Sequence, residues 1–168
     1  MNEPIAYLNG QNIPSSSVAV SSFDAGFVLG TTVAEQLRTF RGELFRLEDH
    51  LGRLAASLDI IGVTIAESTE RLVAISHELV AHNHALLEEG DDLGLGILVT
   101  PGGYPGYGAT DDIGATVILH TYPLPFHLWY EKYERGQALV IPATRQVPGV
   151  CWPSALKCRS RMHYYLAD

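Results

Sequence analysis

Between Val33 and Ile61 the hydrophobic period of the chain changes from two residues to that of a helix, and this switch constrains the fold more than any other feature of the sequence. Val33, Glu35, Leu37 and Thr39 alternate with Ala34, Gln36, Arg38 and Phe40, which puts the two sets on opposite faces of a strand. Arg41-Gly42 turns the chain back through Glu43 to Arg46 as a hairpin. Leu51, Leu54, Leu58 and Ile61 then recur at helical spacing, predicting an amphipathic helix with Arg53 off its apolar stripe. Such a chain is a mixed fold with strands and helices in succession.

The same reasoning extends in both directions. Ile5 to Leu8 and Gln11 to Ile13, joined by Asn9-Gly10, read as a hairpin, because Asn-Gly readily takes positive φ. A Ser-rich connection, Ser15 to Ser17, leads to a shaped loop, Phe23 to Gly30. Thr64-Ile-Ala-Glu67 has the form of a capping box ahead of a second helix carrying Leu72, Ile75, Leu79 and Leu86 and ending near Glu89-Gly90. Leu93 to Thr100 and Ala115 to Thr121 read as strands around the loop Pro101 to Gly108. Tyr122-Pro-Leu-Pro-Phe126, with two prolines, reads as an extended connector. Beyond it a strand is expected over Gln137 to Pro142 and a helix from Ala155 onward. The expected division is a small α+β domain over 1–121, a Pro-rich linker over 122–126, and the beginning of another domain over 127–168.

Composition narrows the function. A 168-residue chain with 46% hydrophobic residues and a mean hydropathy of +0.08 suits a globular protein with a core that needs no staples. The net charge of −8 has the wrong sign for neutralising phosphates, so no nucleic-acid partner is expected. MNEPIAYLNG lacks the basic and apolar regions of a signal peptide, and the apolar runs fall short of the roughly 18 residues that span a bilayer, so a cytoplasmic protein with no membrane contact is expected. Cys151 and Cys158 fit neither a disulfide framework nor a zinc pattern.

Of eleven Lys and Arg residues only Lys132 and Lys157 are lysine. Lys132 sits among charges in Tyr-Glu-Lys-Tyr-Glu-Arg and reads as solvated, whereas Lys157 follows Trp-Pro-Ser-Ala-Leu in a semi-buried setting. His77, His82 and His84 share a helix, yet only His77 and His84 share a face and no cysteine accompanies them, so no metal site is expected. Asp49-His50 are neighbours that cannot face each other on a helix, and His50 reads as structural. The glycine loop from residue 102 to 108 lacks a phosphate-binding lysine and the dinucleotide pattern, and reads as a structural or substrate-covering loop.

Three segments in fixed order change the weighing. They are Asp24-Ala-Gly-Phe-Val-Leu-Gly30, Glu35-Gln-Leu-Arg38 leading to Gly42, and Phe45-Arg-Leu-Glu-Asp-His50-Leu-Gly-Arg53-Leu54-Ala-Ala-Ser57. Leu156-Lys157-Cys-Arg-Ser160-Arg161, followed by Leu166-Ala167, completes the pattern, and over nearly its whole length the chain resembles the class IV, fold-type IV pyridoxal-phosphate aminotransferases. The resemblance implies that an α+β domain precedes a barrel-like one, in a homodimer with the cofactor pyridoxal 5'-phosphate between domains. Lys157 matches the lysine that forms the Schiff base, and Arg53 the arginine that binds the cofactor phosphate. The chemistry suits both, since a desolvated lysine is more readily a neutral nucleophile and a planar guanidinium gives paired bonds to phosphate. Because Arg53 lies off its helix's apolar stripe, its removal is expected to weaken cofactor binding more than folding.

The implied reaction moves an amino group from an amino acid, branched-chain or D, to a 2-oxo acid. Departures leave the substrate open: Ala34 replaces a frequent aromatic residue, Thr31 a frequent aspartate and Met162 a tyrosine, and no arginine stands near Thr100-Pro101-Gly102. Arg38 is either a replacement carboxylate anchor or the partner of Glu35 or Glu43 in a structural ion pair. An aminodeoxychorismate-type lyase releasing pyruvate is the alternative within the family, to which Arg161 points. An inactive fragment that only folds and dimerises is the alternative outside it. The family's acidic partner of the pyridine nitrogen would lie beyond Asp168, so the C-terminal domain is expected to be incomplete.

Overall fold

Asn9 and Gly10 take φ of 45° and 94°, the positive angles that reverse a chain through a two-residue turn. In the computed structural model, which describes residues 3–107 and 114–167, that turn joins β1 (Ile5–Leu8) to β2 (Gln11–Pro14) with Leu8 opposite Gln11. The loop that follows contains a single helical turn, α1 (Ala25–Val28), fastened from beneath by buried Asp24. The Asp24 carboxylate accepts from the Gly26 amide and from the hydroxyls of Thr100 and Thr116.

β3 (Val33–Phe40) turns at Arg41 and Gly42, with φ of 54° and 81°, into the short β4 (Glu43–Leu44). Asp92 closes this turn by accepting from the Arg41 and Gly42 amides, each at 3.0 Å, and from the Thr39 hydroxyl at 2.6 Å. α2 (Leu47–Ile61) and α3 (Thr69–His84) follow, then β5 (Leu93–Thr100) and β6 (Thr116–Pro123). The strands form one antiparallel sheet in the order β2-β1-β6-β5-β3-β4.

The sheet buries one face under α2 and α3. Leu37, Leu95, Ile97, Val99 and Leu119 meet Leu51, Leu54, Leu58, Ile75 and Leu79 there, in a single apolar cluster. Asn83 ties the end of α3 to β1, accepting from the Ile5 amide at 2.8 Å and donating to its carbonyl at 2.7 Å. On the opposite face β5 offers Gly94 and Gly96, and the rings of Tyr122 and His120 occupy the space that a Cβ at those positions would need. Burial, reinforced by the charge of Arg159, holds the His120 pKa below its ordinary value.

Several boundaries depart from expectation. The cap of α3 is Ser68, whose hydroxyl accepts from the Arg71 amide, and not Thr64. The helix ends at His84, because the turns through Leu86 and Leu87 and the positive φ of Gly90 (93°) redirect the chain into β5. Tyr122 and Pro123 belong to β6, with Pro123 opposite Leu93 at its final pair, where proline costs the ladder least. A helix the pattern did not announce, α4 (Phe126–Arg135), then follows, and it buries none of its residues. The expected strand over Gln137 to Pro142 is not formed: Leu139, Val140 and Ile141 are exposed, with no described strand to complete a ladder. The helix expected from Ala155 shrinks to one turn, α5 (Met162–Tyr165). Gly108 of the glycine loop lies outside the described residues. Among the described residues no helix is long and apolar enough to cross a membrane.

The cap assignment is open to measurement. Ser68→Ala is expected to lower stability in urea unfolding by about 1 kcal/mol, the usual worth of an N-cap hydroxyl, while Thr64→Ala changes it by a few tenths at most.

Candidate active site

Glu35 is the chemical oddity of the sheet. It stands on the helix-covered face between Val33 and Leu37, opposite Ile97, and is fully buried. A carboxylate there must be paired, since an isolated buried charge is far too costly. α2 supplies both partners one turn apart: Arg53 donates from Nε to Oε1 at 2.6 Å and from Nη2 to Oε2 at 2.5 Å, while His50 Nδ1 lies 2.8 Å from Oε2. Burial pushes the Glu35 carboxyl up, but the hydrogen bonds and charge of Arg53 and His50 outweigh it and hold its pKa below the usual carboxylate range. The same hydrogen bond raises the pKa of Arg53.

Arg53 keeps about half its side chain in water, 47% exposed, and with Arg46, Asp49 and His50 it lines an open cleft. Its side-on edge is taken by Glu35. Nη2 also lies 3.3 Å from His50 Nδ1, so of the three guanidinium nitrogens only Nη1 lies outside these contacts.

Lys157 approaches from the far end of the chain. Residues 157–159 lie along the outer edge of β3, with the Ala34 amide donating to the Lys157 carbonyl at 3.0 Å, the Arg159 amide donating to the Thr32 carbonyl at 2.7 Å, and Cys158 bridged to Val33. The Lys157 amide donates to the hydroxyl of buried Ser57 on α2, at 3.2 Å. The lysine backbone is thus held between β3 and α2, in the same corner as Glu35 and Arg53. Burial lowers the Lys157 pKa; Glu35 opposes this, and Arg161, Arg53 and Arg159 add to it. Beside this segment an apolar pocket is lined by Leu29, Val33, Ile61, Trp152 and Leu156.

The structure therefore brings Lys157 and Arg53 together and sets Arg38 apart. Arg38 lies on the other face of β3, four residues beyond Ala34 and so about 13 Å further along the strand. Its Nη2 lies 3.8 Å from Asp92, its Nε donates to the Thr39 carbonyl, and it covers the Phe40 ring at 4.1 Å. Its ion-pair partner is Asp92, not Glu35 or Glu43. The helix histidines do not converge: His82 bonds the Glu3 carbonyl, His84 lies 3.7 Å from Asp92, and His77 is exposed. Glu35 and Ser57 belong to the sequence pattern, which by itself gives them no role. The signal for Glu35 is an acidic residue on the apolar face of an alternating strand.

An amine with a lowered pKa beside a clamped, outward-facing guanidinium makes a corner suited to a ligand with both a carbonyl and an anionic group. Comparison with known proteins gives this class a family. The model of the class IV amino-transferases matches residues 32–168, and the chain belongs to that family. It is 35% identical over 77 residues to a D-alanine aminotransferase of Staphylococcus aureus (strain N315), covering 46% of this chain and 27% of that protein. It is 33% identical over 135 residues to a D-alanine aminotransferase of Bacillus licheniformis, covering 79% and 44%. Among solved structures it superposes on a T.th. branched-chain amino acid aminotransferase with pyridoxamine 5'-phosphate at a TM-score of 0.83 and 20% identity, covering 98% of this chain and 54% of that one. An Escherichia coli branched-chain enzyme gives 0.81 and 19%, covering 98% and 53%. These likenesses establish the fold as the N-terminal α+β part of fold-type IV aminotransferases. The chain spans less than half the length of the two curated relatives and about half that of the solved structures.

The pairing adds a folding role to the one expected, because Arg53, though off the apolar stripe, neutralises a buried acid. Arg53→Ala is expected to destabilise the protein without cofactor by roughly 2–4 kcal/mol at neutral pH, reduced from the fully buried case by the exposure of Arg53. Since the folded pKa of Glu35 lies below its unfolded one, the pair's stabilisation is complete above the unfolded value and is lost as pH falls through the folded value. Urea midpoints of wild type and variant should therefore converge as pH is lowered through the carboxylate range.

Proposed function

We propose that this chain carries the lysine and phosphate-binding half of a pyridoxal-phosphate-dependent aminotransferase site, with Lys157 as the covalent residue and Arg53 as the phosphate anchor. The observation that carries the reading is the shared corner itself. Lys157, lowered in pKa, is fastened between β3 and α2, where half-exposed Arg53 lines an open cleft. These residues fit the cofactor, for the donor set suits a phosphate and the lysine suits a carbonyl. When bound, pyridoxal phosphate supplies the electron sink for chemistry at the substrate Cα.

The chain's own residues do the rest. Lys157 Nζ, kept closer to neutrality by burial and by Arg161, Arg53 and Arg159, would hold the cofactor through its carbonyl, with loss of water, and as a free amine would be the base that moves a proton at the substrate Cα. The Ser57 hydroxyl fixes the lysine backbone, and Arg53 holds the anionic end. Amino acid and 2-oxo acid are the substrates. The two curated relatives described above are D-alanine aminotransferases, which favours a D-amino acid over a branched-chain one. Arg38, held by Asp92, serves as a structural ion pair in this reading, in preference to a carboxylate anchor.

The proposal also divides the chain at residues 122–126. The sheet closes at Pro123, and beyond it α4 and Leu139 to Ile141 expose apolar side chains, as the beginning of a second domain would. A homodimer is consistent with the exposure of Phe23, Phe27 and Leu29 around α1. A cytoplasmic location belongs to the same reading.

Borohydride reduction of the full-length protein with pyridoxal phosphate, followed by peptide mapping, is expected to label Lys157; a label on Lys132, or none, refutes the assignment. In a separate, unreduced sample without an acceptor, D-alanine should release its 2-oxo acid in a single stoichiometric turnover. Continuous pyruvate release from aminodeoxychorismate, with no response to any amino donor, would make the protein a lyase instead.

A further inference from the structure

Stability does not explain Glu35. Every neighbour on its face of the sheet is apolar or uncharged, with Val33 and Leu37 flanking it and Ile97 opposite, so an aliphatic side chain would pack there without the desolvation of a charge. Replacing a buried ion pair by such residues is often neutral or stabilising. Nor is Glu35 free to move protons for Lys157. Oε1 accepts from Arg53 Nε, and Oε2 accepts from Arg53 Nη2 and faces His50 Nδ1, so both oxygens are committed.

What these contacts do accomplish is orientation. A free arginine has several rotatable bonds and loses entropy on gripping an anion, whereas one gripped side-on by a rigid strand has already lost it. We infer that Glu35 is a positioning residue: anchored in the sheet and steadied by His50, it locks the Arg53 guanidinium by Nε and Nη2 so that Nη1 is left for the cofactor phosphate. The benefit is geometric and not Coulombic, because the carboxylate offsets part of the arginine's charge. Among the described residues, the charged and titratable groups bearing on this carboxylate are Arg53, His50 and Lys157. The inference rests on the reading of Arg53 as the phosphate anchor, and the test separates the two.

The full-length protein is titrated with pyridoxal phosphate and with unphosphorylated pyridoxal, in wild type, Glu35→Gln and Arg53→Ala, and the ratio of the two affinities isolates the phosphate contribution. Glu35→Gln is expected to lower that ratio by roughly tenfold, the scale on which partners that orient a ligand-binding residue act, with pyridoxal affinity little changed. Should Arg53→Ala lower the ratio and Glu35→Gln leave it intact, or should Glu35→Gln weaken both ligands equally, Glu35 is structural and the inference falls while Arg53 keeps its role. An unchanged ratio in Arg53→Ala overturns the anchor reading and the inference with it. If Glu35→Gln does not fold, Glu35→Asp, which keeps the charge but withdraws it by one methylene, is read in the same way and is expected to lower the ratio.

Discussion

The way α2 lies across β3 decides everything near the site. Leu51, Leu54 and Leu58 seat the helix on the sheet, and that seating fixes which of its other side chains reach past the core. His50 and Arg53, three residues apart, come to the margin where Glu35 emerges, and Ser57, one turn further, meets the Lys157 backbone. Shift the helix by one residue and its leucines leave the core while all three polar contacts break together. Core packing and site geometry are therefore one constraint. The buried carboxylate penalises any other register, because no other helix position would neutralise it.

The parts readable from the sequence were those whose information is local. Alternation in Val33 to Phe40, the Asn-Gly turn and the leucine spacing of α2 each specify an element without help from distant residues. Local signals misled where two candidates were near each other: Thr64-Ile-Ala-Glu67 has capping-box form, but the sheet positions α3 so that Ser68 makes the hydrogen bond. Lys157 and Arg53 were found through the ordered motif, and their proximity is a tertiary fact that no spacing discloses. For Arg38, strand periodicity put it on the correct face but could not supply Asp92, which arrives from the start of β5.

Beyond Pro123 the reading weakened for a different reason. Val140 and Ile141 have strand propensity, yet a strand exists only in a ladder, and the exposure of these residues shows that the propensity meets no partner in the described residues. α4 was hidden behind Pro123 and Pro125, whose pairing suggests an extended connector; instead Pro125 stands immediately before the first helical residue, a position proline tolerates because the first amides of a helix lack partners anyway.

The hydrogen bond from the Lys157 amide to the Ser57 hydroxyl joins positions 100 residues apart. Contacts of that sequence separation close last, because the entropy of bringing distant segments together must be met before they reward it. Within the sheet β1 also meets β6 across a long stretch of chain, Tyr7 opposite Leu119, so long-range closure is shared by the sheet and the lysine segment; Glu35, His50 and Arg53 lie closer together in sequence and meet through β3, the turn at Arg41-Gly42 and α2. The lysine strand docks on the edge of β3 through a few main-chain bonds. With so few bonds holding it, that edge can open locally without global unfolding. Lys157 thus resides on a segment held to the sheet edge and to α2 by a few main-chain hydrogen bonds.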